Sequence, residues 1–438
     1  MKSARPKPLH EVAGLSLLAH SIVSAQTATG DIAVVVGAGG DKVSAAALVA
    51  APGATIHEQT ERLGTAHAVL AAEDALVEAK GDAVVLYADT PMISAGTLDR
   101  MRQTKADGAD VVILGFHAAD PGGYGRLIVE NGALTRIVEA KEATPEELSI
   151  TFCNSGVVWS DAQILLSLLR EVGNDNAKGE YYLTDIVEIA NARGLTCAAV
   201  ECEEAETLGV NSRADLAAAE AAFQHRARTA AMAGGATLTA PETVWFSHDT
   251  VLGQDVVVEP NVVFGPSVTV HDGVIIRAHS HLEGCIVRSG AVVGPYARLR
   301  PGADIGENAR IGNFVEVKNT SFGKGAKANH LAYVGDADVG AGSNIGAGVI
   351  TANYDGVFKY PSQLGENAFV GSNTTLIAPV DIGAGAYIAG GSVITGSVAE
   401  GALALSRAEK QEKTGLGARM VAKLRQMKAS GQKKKGAI

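Results

Sequence analysis

The chain has 438 residues, of which 47% are hydrophobic and 19% charged, and its formal net charge is −11. Such a length exceeds one ordinary hydrophobic core, so we expect two or more domains, and the composition excludes a disordered chain. The negative charge argues against nucleic-acid binding, although it allows a local basic pocket for an anionic substrate. The lack of a signal-peptide core, of a long apolar run and of paired cysteine motifs predicts a cytoplasmic protein with reduced thiols and no membrane contact.

Residues 1–211 alternate short apolar segments with alanine-rich ones. Segments 32–36, 83–87, 111–116 and 127–129 are predicted strands, and 66–79 and 97–105 are predicted helices. Strands interleaved with helices indicate an α/β domain whose parallel or mixed sheet is covered on both faces.

A long helix is predicted over residues 212–232, which are rich in alanine. Ser212 and Asp215 have the spacing of an N-terminal capping pair, and Gly234 with Gly235 is expected to end the helix. We expect residues 212–235 to link two domains.

From about residue 250, small aliphatic residues recur every six positions, as in the run Val287, Val293, Leu299, Ile305, Ile311 and Val317. Similar runs begin at Val256 and at Leu364. A six-residue period fits neither a helix face nor a hairpin, but it fits a coil in which each flat side inserts one aliphatic side chain into a stacked core. We therefore predict a left-handed parallel β-helix of hexapeptide repeats over residues 236–410.

Two segments depart from this period. Residues 351–363 interrupt it, and an insertion in a solenoid forms a loop on one face, where functional residues tend to lie. Residues 411–438 form a basic tail that contains Lys433, Lys434 and Lys435. The tail is predicted to be solvated or disordered, with a substrate-facing arm as the alternative.

Charged and polar residues accumulate between positions 296 and 335. Arg300 and Lys318 are eighteen residues apart, which is three six-residue flats, so we expect them to stack one turn above the other. Two such cations can hold a phosphate, although a solvated charged face is the simpler interpretation of either residue alone. His330 lies among polar residues near this cluster, and an imidazole can accept the proton of an attacking amine.

Five strings in this region resemble one known family. They are ARLRPG at 297–302, GNFVEVK at 312–318, HLAYVGDA at 330–337, NIGAG at 344–348 and NYDG at 353–356. Over nearly its whole length the chain resembles the bacterial bifunctional N-acetylglucosamine-1-phosphate uridyltransferase/glucosamine-1-phosphate acetyltransferases. The resemblance implies an α/β nucleotidyltransferase domain with a Rossmann-like mixed sheet, followed by the left-handed β-helix.

For acetyl transfer the resemblance implies a proton acceptor and two binding sites. His330 would deprotonate the amine of glucosamine-1-phosphate. The sugar-phosphate site would comprise Arg300, Lys318, Tyr333 and Asn344. The acetyl-CoA site would comprise Ala347, Asn353, Tyr354, Ser372, Gly390 and Arg407, with glycine at 390 where the family usually has alanine. Family members are homotrimers with this site between subunits, and the resemblance implies the same here.

In the first domain, Asp89 follows a predicted strand, where an aspartate either binds the Mg²⁺ of a nucleotide or caps a helix. The strings QTERLGTAHA at 59–68, GYGR at 123–126, GEYYLTD at 179–185 and GVNSR at 209–213 resemble the same family. The resemblance implies that Asp89 and Asn211 bind Mg²⁺ beside UTP or UDP-N-acetylglucosamine. It places Gln59, Gly64, Thr65 and Tyr87 at the uracil, Gly125, Glu139 and Asn154 at the sugar, and Lys7 at the phosphates.

The printed chain departs from the family at its start. Family members open with a strand and a glycine-rich loop of the type LAAGxGTRM, whereas Met1 corresponds to the last residue of that loop. The loop supplies backbone N–H groups to UTP phosphates, and its strand is central to the sheet. We therefore expect this first strand to be missing, its two neighbours to have free edges, and uridylyl transfer by the 438-residue chain to be weak. Either the start is misassigned or the lineage has lost that activity.

Three other functions stay open. A γ-type carbonic anhydrase shares the β-helix and binds Zn²⁺ through three histidines. His271, His279, His281 and His330 are available, and His279 and His281 are expected on one strand face. A non-catalytic regulatory subunit and a nucleotidyltransferase for another sugar have similar domain orders. The joint presence of the acetyl-transfer residues and Asp89 favours the bifunctional enzyme.

Overall fold

The structure is a computed structural model in which residues 1–28, 30–176 and 178–430 are described. The chain forms two compact units, which are Met1–Asp272 with His281–Gly284, and Gly273–Ser280 with Cys285–Ile438. The expectation for Lys433, Lys434 and Lys435 lies outside the described residues. Among the helices of the described ranges, none is both long and apolar enough to cross a membrane.

The first unit contains helices and strands in alternation. Its α-helices are Leu17–Ala28, Asp41–Ala50, Thr65–Leu70, Glu73–Glu78, Ala95–Ala106, Pro145–Leu148, Ala162–Leu169, Ile186–Ala192 and Arg213–Ala233, and its 3₁₀ turns are Lys7–Leu9, Leu183–Asp185, Glu204–Glu206 and Pro241–Thr243. Its strands are Glu11–Val12, Leu15–Ser16, Ala33–Gly37, Thr55–Gln59, Asp82–Val85, Val111–His117, Arg126–Glu130, Ala133–Val138, Phe152–Asp161, Cys197–Cys202, Thr237–Leu238, Val251–Leu252, Val257–Val258, Val263–Phe264, Thr269–Val270 and His281–Leu282.

The main sheet of the first unit is mixed, as predicted. Strand Val111–His117 is parallel to Cys197–Cys202 and antiparallel to Phe152–Asp161. Strand Phe152–Asp161 also pairs with Asp82–Val85 and, through one residue pair, with Arg126–Glu130. The remaining strand, Ala133–Val138, is antiparallel to Arg126–Glu130.

Both faces of this sheet are covered. Along Val111–His117, Val111 and Ile113 pack into one buried cluster, whereas Val112 and Leu114 pack into another. Because successive side chains of a strand point to opposite faces, the two clusters lie on the two faces of the sheet. The prediction of a sheet covered on both sides is confirmed.

Among the strands of this unit that have a single partner in the described ranges are Ala33–Gly37 and Asp82–Val85. Ala33–Gly37 pairs with Thr55–Gln59 in a separate two-stranded parallel sheet, and Asp82–Val85 pairs with Phe152–Asp161. Each of these two strands therefore has one free edge among the described residues, and the expectation that a missing first strand would lie between them stays a prediction.

The predicted helices are present with one correction. The single helix expected over 66–79 is wrong, because the chain forms Thr65–Leu70 and then Glu73–Glu78. Between them Ala72 has φ −101° and ψ 29°, outside the α-helical region, and its side chain is buried.

The long helix runs from Arg213 to Ala233, close to its predicted ends. Ser212 Oγ accepts a hydrogen bond from the backbone of Asp215 at 3.1 Å, and Asp215 Oδ2 accepts one from the backbone of Ser212 at 2.8 Å. These two bonds form the capping box expected from the sequence. The helix packs within the first unit, where buried Gln224 exchanges two hydrogen bonds with the backbone of Phe246. The domain boundaries at 211, 235 and 410 stay predictions.

The second unit consists of short strands and one terminal helix. Its strands are Ile275–Ile276, Ile286–Val287, Val292–Val293, Arg298–Leu299, Ala303–Ile305, Arg310–Asn313, Glu316–Phe322, Lys327–His330, Tyr333–Val339, Asn344–Ile345, Ile350–Ala352, Ser362–Leu364, Phe369–Val370, Thr375–Ile382, Tyr387–Ile388, Val393–Val398 and Leu403–Ala404. The helix is Leu416–Ala429, and its residues are almost all solvent-exposed, as expected for a solvated tail, although they are helical rather than disordered.

Parallel pairing between successive coils gives the second unit its form. Arg298 pairs with Glu316, eighteen residues on, and Glu316 pairs with Tyr333, seventeen residues on. The aliphatic runs over 287–317 and 364–394 point inwards, and each of their repeating side chains is at most 5% exposed. One buried aliphatic residue per flat builds the continuous core of a hexapeptide-repeat β-helix, as predicted.

The predicted insertion loops out of the coil. Ala337 pairs with Ser362, an offset of 25 residues, which is seven more than the usual eighteen. Within the inserted segment Tyr354 and Lys359 form an isolated antiparallel bridge. The prediction of a loop is confirmed for 353–361, but its predicted ends were wrong, because Thr351 belongs to strand Ile350–Ala352 and Ser362 to strand Ser362–Leu364.

Candidate active sites

The first unit has a cavity that brings together residues predicted at the uracil and at the sugar. Thr65, Tyr87, Glu139 and Asn154 line it. Gly125 lies beside Glu139 and Asn154, because a Cβ at this glycine would be 3.7 Å from Glu139 Oε1 and from Asn154 Cβ. Four separate elements thus contribute to one pocket.

Tyr87 and Thr65 form the inner wall of this cavity. Their side chains are hydrogen-bonded, and Thr65 Oγ1 also accepts from the backbone N–H of Leu183 at 2.9 Å. Burial raises the pKa of Tyr87 to about 12, so its hydroxyl stays protonated at neutral pH. Gly156, which the sequence did not assign, leaves space for the ring, because a Cβ there would be 2.5 Å from Tyr87 Cε2.

Gln59 and Gly64 lie at the start of the helix that carries Thr65. Gln59 Nε2 donates to the carbonyl of Gly64 at 3.1 Å. Gly64 has φ +122°, and a Cβ there would be 2.4 Å from the carbonyl oxygen of Tyr181. Only glycine fits this position, so the turn before the helix depends on it.

Lys7, Asp89 and Asn211 converge at a second point of the first unit. Lys7 Nζ donates to Asp89 Oδ2 at 2.7 Å and to Asn211 Oδ1 at 2.8 Å. A carboxylate and an amide oxygen that share one cation are the hard oxygen ligands that suit Mg²⁺. Across the described ranges, no three His, Cys, Asp or Glu side chains are placed to hold a metal. A Mg²⁺ ion here would depend on these two oxygens, on water and on substrate phosphates, which is the usual arrangement for this ion.

In the second unit the two predicted phosphate-binding cations stack as expected. Arg298 pairs with Glu316 on the next coil, and Arg300 and Lys318 each lie two residues further along. The backbone N–H of Arg300 donates to the carbonyl of Val317 at 2.9 Å. Arg300 Nη1 contacts Glu316 Oε1 at 2.8 Å, and Lys318 Nζ lies 3.3 Å from Asp336 Oδ1. The Lys318 side chain is only 19% exposed, so a solvated charged face is the wrong interpretation for this residue.

Asp336 is a residue that the sequence did not single out. Its carboxylate also accepts from Asn319 Nδ2 at 2.8 Å and from Asn353 Nδ2, whose amide lies 3.5 Å from the hydroxyl of Tyr333. Burial opposes ionisation of Asp336, but the hydrogen bonds from Asn319, Lys318 and Asn353 outweigh it and lower the pKa. The carboxylate therefore contacts two predicted site residues, Lys318 and Asn353, and the amide of Asn353 connects it to a third, Tyr333.

A surface cavity of about 630 Å³ adjoins this cluster. Lys318, Asp336, Lys359 and Tyr360 are among its lining residues. Lys359 comes from the inserted loop and lies against Lys318, which lowers the pKa of Lys359. Neither the loop's path nor this contact follows from residue spacing.

His330 ends strand Lys327–His330 and is exposed. Its Nδ1 lies 2.8 Å from Oδ1 of Asn313, the residue paired with it on the preceding coil. When Nδ1 donates to this amide oxygen, the ring adopts the tautomer in which Nε2 is available to accept a proton. Asn344 pairs with Lys327 and lies in a different sheet of the β-helix from Lys318.

Four of the six predicted acetyl-CoA residues, Ala347, Ser372, Gly390 and Arg407, form a column along successive coils. The carbonyl of Ala347 accepts from Asn373 N at 2.7 Å, and that of Ser372 accepts from Gly391 N at 2.8 Å. Arg407 Nη1 donates to the carbonyl of Gly390 at 2.8 Å. Asn353 belongs instead to the Asp336 cluster, and Tyr354 lies on the inserted loop.

Comparison with known proteins agrees with this two-part organisation. Residues 1–145 match the MobA-like NTP transferase domain, and residues 249–284, 284–319 and 361–396 match the bacterial transferase hexapeptide (six repeats). The "Bifunctional protein GlmU" of a Jannaschia species is 53% identical over 99% of this chain and 95% of its own length. Those of Azorhizobium caulinodans and Agrobacterium fabrum are 56% and 51% identical, over 95% and 99% of this chain and 93% and 96% of theirs. The chain belongs to the family of bifunctional GlmU proteins.

Proposed function

We propose that the chain makes UDP-N-acetylglucosamine in two steps. The first is acetyl transfer from acetyl-CoA to glucosamine-1-phosphate, and the second is uridylyl transfer from UTP to N-acetylglucosamine-1-phosphate. Family membership over nearly the whole chain supports both steps. The observation that carries the first is the pair of stacked cations, Arg300 and Lys318, on the same β-helix as an exposed imidazole with a free Nε2.

For acetyl transfer, Arg300 and Lys318 bind the sugar phosphate, and Tyr333 and Asn344 contact the sugar. The amine nitrogen attacks the thioester carbonyl, a C–N bond forms, and the C–S bond breaks to release coenzyme A. His330 Nε2 takes the proton that the amine loses. The column Ala347, Ser372, Gly390 and Arg407, with Asn353 and Tyr354, binds acetyl-CoA.

For uridylyl transfer, the cavity of the first unit binds the nucleotide and the sugar. Gln59, Gly64, Thr65 and Tyr87 face the uracil. Gly125, Glu139 and Asn154 face the sugar, and Lys7 contacts the phosphates. Asp89 and Asn211 would hold Mg²⁺, which when bound offsets the negative charge of the triphosphate.

We further propose a cytoplasmic homotrimer whose acetyl-transfer sites lie between subunits. Tyr296, Phe314 and Leu331 support this proposal, because they follow one another on successive coils and are 49%, 56% and 58% exposed. Leu331 adjoins His330, so a subunit that covered this apolar column would lie beside the proposed base. Light scattering on the purified chain should give three times the mass of 44.9 kDa.

The zinc alternative loses its main structural support. His279 was expected beside His281 on one strand face, but it lies in a turn with φ +60° and its ring stacks on Tyr296 at 4.7 Å. The strand there is His281–Leu282 only. The expectation was wrong because each flat side of this β-helix is short, so two residues that are two positions apart need not lie on the same strand.

Two assays on the 438-residue chain test the proposal. We expect thiol release from acetyl-CoA with glucosamine-1-phosphate, and pyrophosphate release from UTP with N-acetylglucosamine-1-phosphate. Asp89→Ala should abolish only the second signal, and His330→Ala only the first. A folded trimer that gives neither signal would contradict the proposal and favour a regulatory subunit. The rate of pyrophosphate release also tests the expectation of weak uridylyl transfer.

A further inference from the structure

A single carboxylate connects residues proposed for two different substrates. Asp336 Oδ1 accepts from Lys318 Nζ at 3.3 Å, and its Oδ2 accepts from Asn353 Nδ2. Lys318 is proposed to bind the sugar phosphate, whereas Asn353 is proposed to bind acetyl-CoA. The side chains proposed to bind the two substrates therefore share one hydrogen-bond acceptor.

Asp336 occupies a corner between two coils. Its φ is +50°, a left-handed conformation that aspartate and asparagine tolerate better than other side chains. Lys318, which pairs with Gly335, lies on the coil before Asp336, and Asn353 lies on the coil after it. The carboxylate thus faces neighbours from the coils on both sides.

Holding the coils together does not require this carboxylate. The backbone ladder already joins Glu316–Phe322 to Tyr333–Val339 over most of their length. The carboxylate instead fixes the direction of two flexible groups, and it offsets the repulsion between Lys318 and the adjacent Lys359. Both effects bear on the 630 Å³ cavity that Lys318, Asp336 and Lys359 line.

We propose that Asp336 is a positioning residue for acetyl transfer, which holds the Lys318 ammonium for the phosphate and the Asn353 amide for acetyl-CoA. This inference rests on the proposed acetyl-transfer activity. It requires that loss of the carboxylate weaken the binding of both substrates at once, although only Lys318 belongs to the sugar site.

The variant Asp336→Asn keeps the size of the side chain and tolerates the left-handed corner, but it removes the negative charge and replaces one of the two acceptor oxygens with a donor NH₂ group. We expect KM to rise about tenfold for both glucosamine-1-phosphate and acetyl-CoA, the size of one hydrogen bond to a charged group. Lys318→Met should raise KM for the sugar phosphate alone. In Lys318→Met/Asp336→Asn, KM for the sugar phosphate should not exceed that of the worse single variant.

Asp338→Asn is the matched control. Asp338 lies on the same strand and lines the same cavity, but it accepts from Gln363 Nε2 at 2.7 Å and from none of the proposed site residues. We expect its KM values and its thermal midpoint to equal those of the unsubstituted chain. Asp336→Glu, which keeps the charge, should recover part of the loss seen in Asp336→Asn.

The outcomes separate the two levels of inference. An unsubstituted chain without thiol release would remove the proposed function itself. With an active unsubstituted chain, unchanged KM values in Asp336→Asn would overturn the positioning role. The role would also be overturned if the increases in KM caused by Lys318→Met and Asp336→Asn were fully additive in the double variant. A third contrary result would be equal increases in KM in Asp336→Asn and Asp336→Glu, each accompanied by a lowered thermal midpoint.

Discussion

The ammonium of Lys7 lies 2.7 Å from Oδ2 of Asp89, the carboxylate proposed to hold Mg²⁺. The same ammonium donates to Oδ1 of Asn211 at 2.8 Å, so it occupies the position between the two proposed metal ligands. The side chains of Lys7 and Asp89 are 35% and 31% exposed. A partly exposed pair of this kind contributes about 0–1 kcal/mol, so a divalent cation can replace it.

From this arrangement we predict that Lys7 competes with the metal ion. Lys7→Met should raise the affinity for Mn²⁺, measured by calorimetry without nucleotide, by about two- to fivefold, because it removes a competing pair of up to about 1 kcal/mol. The same substitution should weaken UTP binding, since the proposed phosphate contact is lost. Lys105→Met is the control, because Lys105 lies 4.0 Å from Asp82, away from the proposed ligands. Equal Mn²⁺ affinity in the unsubstituted chain and Lys7→Met would rule out competition.

A second prediction concerns the pair His330 and Asn313. His330→Ala should lower kcat for acetyl transfer by about 10²- to 10⁴-fold, the usual contribution of a general base. Asn313→Ala should lower kcat by about tenfold, because the ring loses the bond that fixes its tautomer and orientation. The double variant should be no slower than His330→Ala, since Asn313 acts through the imidazole. Kinetics of thiol release measure all three, and unchanged pyrophosphate release controls for folding of the first unit.

The β-helix could be predicted because its period recurs in every coil. Residues such as Ile305 and Ile311 each fill one flat, so the sequence alone separates this core from a helix or a hairpin. The break at Ala72 could not be predicted in the same way. Alanine has the highest helix propensity, and the two helices flanking the break contribute Ala66 and Leu76 to one buried cluster, a tertiary relationship that propensity does not describe.

Some features of the candidate sites could likewise be predicted from the sequence, and others could not. Spacing by one coil was enough to place Arg300 above Lys318. The partners Asp336 and Asn313 were missed, because a polar residue between coils has the same sequence pattern whether it is solvated or hydrogen-bonded to a neighbouring coil. The contact of Lys359 with Lys318 depends on the path of the inserted loop, which no periodicity describes.

The last prediction concerns Asp185, which follows Thr184 of the first cavity. Burial, and then the charges of Glu188, Glu142 and Glu139, raise the pKa of Asp185 to about 6. Because its unfolded value is about 3.9, the folded state binds the proton more tightly, and this residue lowers stability as pH rises from about 4 to 6. Asp185→Asn should therefore leave the free energy of unfolding unchanged below pH 4 and raise it at pH 7.5. With allowance for partial exposure, we expect a gain of about 1–2 kcal/mol.

Urea unfolding of the full chain at pH 4 and at pH 7.5 measures this difference for Asp185→Asn and for the control Asp175→Asn. Asp175 is exposed, so its substitution should leave the two values unchanged. A gain at pH 7.5 that vanishes at pH 4 requires a carboxyl group that is protonated preferentially in the folded state. An equal effect at both pH values would instead mean that the amide stabilises the turn by its hydrogen bonds, and that the carboxyl of Asp185 titrates at its ordinary value.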